Sequence, residues 1–295
     1  MNELLLALIG AVLFLITAPL VGGLIAGIDR KLTARFQSRI GPPIIQPFYD
    51  VAKLIHKEKA FANPVEIILT SAYLILTALS GAIIFAGNNI LLAVFCLALA
   101  HTFLILAAYS ANAPYSHVGA VRELISAMIG EPILILTAAG FFMITGSFIV
   151  TDILAESLPA IIYLPGVFIA LFAVLTLKLR KSPFDISTSH HAHQELVKGV
   201  TASLSGKSLA KVEVSHWYET VTLLSIMLLF FAGQPVIGFI VIIIAYFLEI
   251  VIDNIFPRIT WKMSVKTLWL ITLILGVVNI CVIGVLGGIT GGLII

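Results

Sequence analysis

The sequence predicts an all-α, polytopic membrane protein of about eight transmembrane helices, and three observations predict it. Only 11% of the 295 residues are charged, against roughly 25% in an ordinary soluble domain. Hydrophobic residues make up 60% and mean hydropathy is +1.12, so there is too little polar surface to cover the chain in water. The apolar residues also come in runs of about 20, the length that crosses a bilayer core. A formal net charge of +2 gives no footprint for nucleic acid, and no such partner is expected. Cys96 and Cys281 both lie inside apolar runs, so neither a disulfide framework nor a C-x-x-C ligand set is present.

The first span covers residues 4–28; it is too long for a signal-peptide core and lacks a basic leader, so no cleavable signal is expected. The second and third, 67–86 and 90–109, are joined by Gly87-Asn88-Asn89, a hairpin turn. The fourth is 124–146. The fifth and sixth, 161–176 and 220–232, are short enough to extend into their flanks. Gly233-Gln234-Pro235 turns the chain into the seventh, 236–256, and the eighth is 267–287. Residues 1–295 read as one membrane domain. Within the first loop, Ile44, Phe48, Val51 and Ile55 recur at helical spacing while Asp50, Lys53 and Lys57 take another face, which predicts an amphipathic helix on the membrane surface, against a partner or against the protein's own spans. Residues 148–158 form a second such segment.

All 17 Lys and Arg fall on one side: seven in the loop 29–66, Arg122 in the third loop, six in the loop 177–219 and three in the seventh loop. The positive-inside rule therefore places these loops in the cytoplasm and both termini outside. The opposite side carries only Glu3, Asp152 and Glu156.

Two carboxylates stand where lipid should be. Glu131 lies in the fourth span and Glu249 in the seventh, where an ionised acid costs about 2.5–3.5 kcal/mol on insertion scales, so such residues normally face a bundle interior and move protons, hold ions or pair with a cation. Glu123 lies on the same helix as Glu131, about 80° round at 100° per residue. Asp253 follows Glu249 at i,i+4, where like charges repel, so either one is protonated or a cation such as Arg258 intervenes. In the long fifth loop Asp185, Glu195, Glu213 and Glu219 alternate with basic residues, and Glu213, His216 and Thr220 share a helical face. The expected proton or ion path is Glu123, Glu131, Asp185, Glu195, Glu213, Glu219, Glu249 and Asp253. His190, His191 and His193 with Glu195 hold zinc-type donors, but no second cluster has ligand spacing, so they read as solvated or partner-facing and no metal site is expected. With no Walker A, G-x-S-x-G, H-E-x-x-H or dinucleotide fingerprint, the chain is not expected to complete a reaction alone.

The loops carry a recognisable pattern. The segment 29–43, beginning Asp29-Arg30-Lys31 and ending Gly41-Pro42-Pro43, is followed by Asp50, Lys53 and Lys57-Glu58. It resembles the first cytoplasmic loop of the membrane subunit that links the two arms in respiratory complex I and in group 4 [NiFe] hydrogenases. Ser182-Pro183-Phe184-Asp185 with Gln194-Glu195-Leu196-Val197-Lys198-Gly199 is similar to that family's fifth loop. Arg122-Glu123-Leu124-Ile125-Ser126 with Glu131-Pro132, the histidine cluster and Glu213-Val214-Ser215-His216-Trp217-Tyr218-Glu219 resemble the hydrogenase branch, in particular the larger integral membrane subunit of energy-converting (Ech-type) enzymes. Asp29, where the quinone-reducing branch usually has Glu, and the histidine cluster depart from that branch.

The resemblance implies a prokaryotic cell-membrane subunit without cofactors of its own, relaying protons or coupling ions. Iron–sulfur clusters and a [NiFe] site would reside in partner subunits. The implied partners are a peripheral [NiFe] large subunit, an iron–sulfur small subunit, an antiporter-like membrane subunit, membrane lipids and, indirectly, ferredoxin. The expected docking or cavity residues are Asp29, Arg30, Arg35, Gln37, Arg39, Asp50, Lys53, Glu58, Arg122, His193 and His216. The alternatives are the corresponding subunit of a quinone-reducing or sulfur-linked relative and a stand-alone ion transporter; the latter is disfavoured because no internal repeat is visible and Pro132, Pro165 and Pro235 are unevenly placed.

Overall fold

The computed structural model describes residues 2–58, 63–111, 113–184 and 198–290. The described residues are helical throughout, with no strand beyond two isolated bridges. Among the described residues six helices are long and apolar enough to cross a membrane, two fewer than the apolar runs predict, and the difference has a local cause in each case.

Helix α1 (Asn2–Phe36) is 35 residues, about 50 Å at 1.5 Å per residue, well beyond the roughly 30 Å hydrocarbon core. The helix runs on through the internal Pro19 and ends only near Ser38 and Gly41, which take positive φ, so Asp29, Arg30, Lys31 and Arg35 ride on its projecting end. The amphipathic helix α2 (Gln46–His56) packs its Phe48 and Val51 against Trp217, with the Phe48 and Trp217 rings 5.2 Å apart, while Tyr49 and Ile55 stay exposed. Of the three surfaces open to this helix, its buried face takes the protein's own. Gly27 permits that seat: a Cβ there would stand 1.8 Å from the Ile44 carbonyl oxygen.

Helices α3 (Pro64–Phe85) and α4 (Ile90–Tyr109) form the expected hairpin. Gly87 supplies positive φ, and the Asn89 side chain caps α4 by accepting from the Leu91 and Leu92 amides. Helix α5 (Pro114–Thr145) starts ten residues before the predicted span and stops at left-handed Gly146. The short α6 (Val150–Ala155) lies over the α3–α4 turn, where Val150 N–H donates to the Asn88 carbonyl.

Helix α7 (Pro165–Lys178) has only 14 residues, roughly 20 Å. Its Val167, Ala170, Leu171, Val174 and Leu175 are nearly inaccessible, and they form the middle of the core with α5 and α8. Helix α8 (Gly206–Leu229) is longer than the predicted run of 220–232 because its first half is charged; about a third of the expected loop 177–219 is therefore helix. Helix α9 (Pro235–Ile255) follows the expected hairpin. The final helix runs as α10 (Trp261–Ile271), a π-helical turn (Thr272–Val277) and α11 (Val278–Thr290).

An ion pair clamps α2 to α1. Arg30 donates to Asp50 Oδ2 at 2.6 Å and Gln46 donates to Oδ1 at 3.0 Å. Burial pushes the Asp50 carboxyl up, but the hydrogen bonds from Arg30 and Gln46 and the charges of Arg30 and Lys53 outweigh it and hold the group below its usual value. A carboxyl depressed in this way contributes stability that is complete above its unfolded pKa, about 4, and is lost as pH falls through the folded value. A spin label on the exposed face of α2 should accordingly remain immobile at neutral pH and gain mobility only below about pH 4, and Asp50→Asn should abolish that acid transition. A wild-type label that moves equally at both pH values contradicts the clamp.

Candidate functional site

The C-terminus of α7 builds the site. Arg180 takes φ +59, its N–H donates to the Leu177 carbonyl and the next N–H, of Lys181, reaches back to Thr176. These two bonds are the Schellman pattern, with arginine where glycine usually sits. The turn sends the two adjacent cations into separate acidic clusters.

Arg180 enters the first, a cavity of about 230 Å³ between α1, α8 and the end of α7. Asp29, Arg30, Lys178, Arg180, Thr201, Glu213, His216, Glu219, Thr220 and Tyr246 are among the residues that line it. A second space of about 20 Å³, room for about one water, adjoins it; His101, Glu123 and Ser126 line it, and Lys178, Arg180 and Glu219 border both. The guanidinium of Arg180 lies 3.8 Å from Glu123. Burial opposes its charge, but Glu123, Tyr73, Glu219 and Glu213 together push its pKa above the ordinary arginine value, so it is a fixed cation.

A directed hydrogen-bond chain starts there. Arginine can only donate, so His216 Nε2 accepts from Arg180 and the His216 proton resides on Nδ1. Nδ1–H then donates to Tyr73 Oη at 3.1 Å, and Tyr73 O–H donates to Glu219 Oε2 at 3.4 Å. Glu219 Oε1 meets His101 Nε2 at 2.8 Å. His101 Nδ1 faces the Leu97 carbonyl at 2.9 Å and must carry a hydrogen. The Nε2–Oε1 contact therefore needs one further proton, held as imidazolium and carboxylate or as imidazole and carboxylic acid. Hydrogen positions follow here from the partners of each atom. Glu219 and His101 are 3% exposed, so this shared proton is shielded from bulk solvent.

Lys181 enters the second cluster. Its ammonium is 3.0 Å from Asp29 Oδ2 and 4.7 Å from the Tyr246 ring centre, and Tyr246 O–H donates to the same Asp29 oxygen at 3.4 Å. On α9, Glu249 Oε1 accepts from Thr176 at 3.2 Å, and Asp253 accepts the Ser182 amide at 2.7 Å. The cation expected between Glu249 and Asp253 is thus supplied chiefly by Lys181, with Arg258 acting on Asp253.

The structure brings Asp29, Arg30, Glu123, Glu213, His216 and Glu219 to the two cavities and Glu249 and Asp253 to the neighbouring cluster. Glu131 is half-buried, lines neither cavity and lies eight residues, about 12 Å, farther along α5. Arg35, Gln37, Arg39, Lys53 and Glu58 are exposed; Gln37 donates to Asn254 at 3.3 Å and Arg39 to Gln37. Arg122 stacks over Trp261, 5.2 Å from the ring centre. Asp185, His190, His191, His193 and Glu195 lie outside the described residues. Sequence reasoning missed Tyr73, His101, Arg180, Lys181 and Thr176 as site residues. The signal for His101 was present, a titratable side chain inside an apolar run; a search confined to acids passes over it.

Fold and site together define a class: a multi-pass helical membrane protein that buries a proton-sharing polar chain beneath a charged cavity at one end of the bundle. The chain belongs to the NADH dehydrogenase family of complex I-related membrane subunits, whose model matches residues 9–284. Hydrogenase-4 component C of Escherichia coli is 29% identical over 76% of this chain and 74% of its own length. A subunit of the NADH-quinone oxidoreductase of Dehalococcoides mccartyi is 26% identical over 86% of this chain and 79% of its own. A chain in the solved structure of the membrane-bound sulfane sulfur reductase, an archaeal respiratory membrane complex, superimposes with a TM-score of 0.79, covering 92% of this chain and 99% of that one at 25% identity.

Proposed function

We propose that this chain is the membrane-anchoring and ion-coupling subunit of an energy-converting, ferredoxin-linked [NiFe] hydrogenase in a prokaryotic cell membrane. It crosses the bilayer eight times, α7 and α8 completing the two crossings that fall short by length or charge, with both termini outside. The single observation that carries the coupling role is the Glu219–His101 contact, where one shared proton sits between two cavities in a low-dielectric core. The similarity to hydrogenase-4 component C supports the hydrogenase branch. The loops 29–66 and 177–219 form the docking seat for the peripheral arm.

Iron–sulfur clusters and a [NiFe] site in partner subunits would supply electron transfer and proton reduction. The chain's own residues do the rest. A change of charge at the cavity mouth alters the pull on Arg180, which lies between His216 and Glu123. Turning Arg180 toward Glu123 frees His216 Nε2 to take a proton. The Tyr73 hydroxyl then passes that charge change to Glu219, and coupled groups of this kind titrate together. When Arg180 swings back to His216, Glu123 loses its counter-charge and takes up the displaced proton, and Glu131, deeper on α5, receives it next.

Replacing Glu219 with Gln keeps the volume and removes the exchangeable proton. In inverted vesicles holding the assembled complex, E219Q should lower ferredoxin-driven ion translocation by about tenfold or more, as for loss of a positioned proton donor; wild-type hydrogen production with wild-type translocation would sink the role. The likeness to the sulfane sulfur reductase structure favours a second reading, the equivalent subunit of a sulfur-linked relative. Purification in mild detergent separates the two: the hydrogenase reading requires a [NiFe] large subunit with two C-x-x-C pairs in the preparation.

A further inference from the structure

The second cluster holds polar atoms that the chain from Arg180 to His101 does not use. Glu249 is 0% exposed, and its Oε2 has no hydrogen-bond partner. Its other oxygen has only the Thr176 hydroxyl. A carboxylate held by one neutral donor inside a membrane is costly to keep ionised. Lys181 is 4% exposed, and its ammonium is also without a directed hydrogen bond: the 3.0 Å approach to Asp29 is off-axis. Asp29 Oδ1 is a third buried, unpartnered atom in this cluster. The charged groups that reach Glu249 are Lys181 from the α7 turn, Asp29 from α1 and Asp253 from its own helix. Among the described residues no three His, Cys, Asp or Glu side chains converge to hold a metal ion, which directs the reading to a proton.

We infer that Lys181 is a movable counter-ion that trades Asp29 for Glu249, so that Glu249 stores a proton and releases it when the cavity loses its hold on the ammonium. The inference rests on the cavity being the place where charge changes, because Asp29 and Tyr246 line that cavity and also hold Lys181. A lysine side chain has four rotatable carbons and a compact charge that suit it to exchange partners. With Asp29 ionised, the ammonium stays on the α1 side and Glu249 keeps its O–H. When a positive charge arrives beside Asp29, the ammonium is displaced toward α9. The Glu249 O–H bond then breaks, its electron pair remains on Oε2 opposite the ammonium, and the proton passes to Asp253 one turn along. The lysine remains protonated throughout. Lys181 is thus a positioning residue, and the store on α9 is a branch separate from the Glu219–His101 pair.

Infrared difference spectra of the purified complex, recorded between about pH 5 and 9, read the Glu249 proton directly. The wild type should show a protonated-carboxyl band at neutral pH that is absent in Glu249→Gln. Lys181→Met removes the counter-charge, so the band should persist about one pH unit or more higher; Lys181→Arg should restore the wild-type midpoint. Asp29→Asn frees the ammonium for Glu249 and should move the midpoint the opposite way, which keeps a test available if Lys181→Met does not assemble. Absence of any band sensitive to Glu249→Gln overturns the store. A band that neither Lys181→Met nor Asp29→Asn displaces overturns the counter-ion. The spectra report protonation and not turnover, so an E219Q complex with wild-type coupling defeats the proposed function while leaving this result standing.

Discussion

Asn279→Leu is expected to destabilise the protein by up to roughly 2–6 kcal/mol, from two part-buried N–H groups left unsatisfied at no more than about 1–3 kcal/mol each. The reason is the brevity of α7. A helix has four amides without internal acceptors at its start, and each needs a partner once it is withdrawn from water. The start of α7 accounts for each one. Pro165 has no N–H; the Gly166 and Val167 amides both donate to Asn279 Oδ1, at 3.0 and 3.2 Å; the Phe168 amide has the Leu164 carbonyl. Asn279 Nδ2 in turn donates to the Tyr163 carbonyl at 3.1 Å. One side chain from the last helix therefore satisfies both of the amides at the start of α7 that lack a backbone acceptor. The approach depends on Gly166, whose missing Cβ would stand 2.4 Å from the Leu275 carbonyl inside the π-helical turn. Gly166→Ala should therefore reproduce much of the loss without touching the asparagine. Thermal unfolding in detergent measures both variants. A midpoint unchanged by Asn279→Leu would mean that the cap contributes nothing to stability.

That cap shows what an apolar-run reading can and cannot find. The hairpins at Gly87-Asn88-Asn89 and Gly233-Gln234-Pro235 were legible because turn chemistry is local. The amphipathic segment around Phe48 was legible because its periodicity is local too. The extension of α8 into its flank was legible from the helical face that Glu213, His216 and Thr220 share, but its start at Gly206 was not, since a window tuned to lipid stops at the charged residues. Nor was the length of α1, because its last turns leave the bilayer and follow ordinary helix propensity. In the site, Glu123, Glu213, Glu219 and His216 could be picked out as acids and a histidine near spans. Their grouping with Tyr73 and His101 could not, because α3, α4 and α8 meet only in three dimensions. Lys178, Arg180 and Lys181 were read solely as markers of the cytoplasmic side. What separates Arg180 from Lys181 is the left-handed turn between them, and arginine at a position that favours glycine carries no simple sequence signal.

His101→Leu is expected to cost about 3–5 kcal/mol, the penalty for removing one partner of a buried pair and leaving the other without compensation. Glu219 would keep only the 3.4 Å bond from Tyr73 and the longer approach of His216 at 3.7 Å. Neither matches the 2.8 Å contact it loses. The double replacement, His101→Leu with Glu219→Leu, should be less destabilising than His101→Leu alone. It removes the stranded carboxyl and fills the space with apolar atoms, and replacing both members of a buried pair is often neutral. This reversal is the decisive observation, since two independent contacts would add. Thermal unfolding of the four proteins in one detergent supplies the coupling energy. A double variant whose loss equals the sum of the single losses would show that His101 and Glu219 are adjacent without sharing the proton. If the reversal is found, ion translocation should be absent from all three variants. Restoring the fold by the second leucine does not restore the proton, so stability and coupling separate within a single pair of side chains.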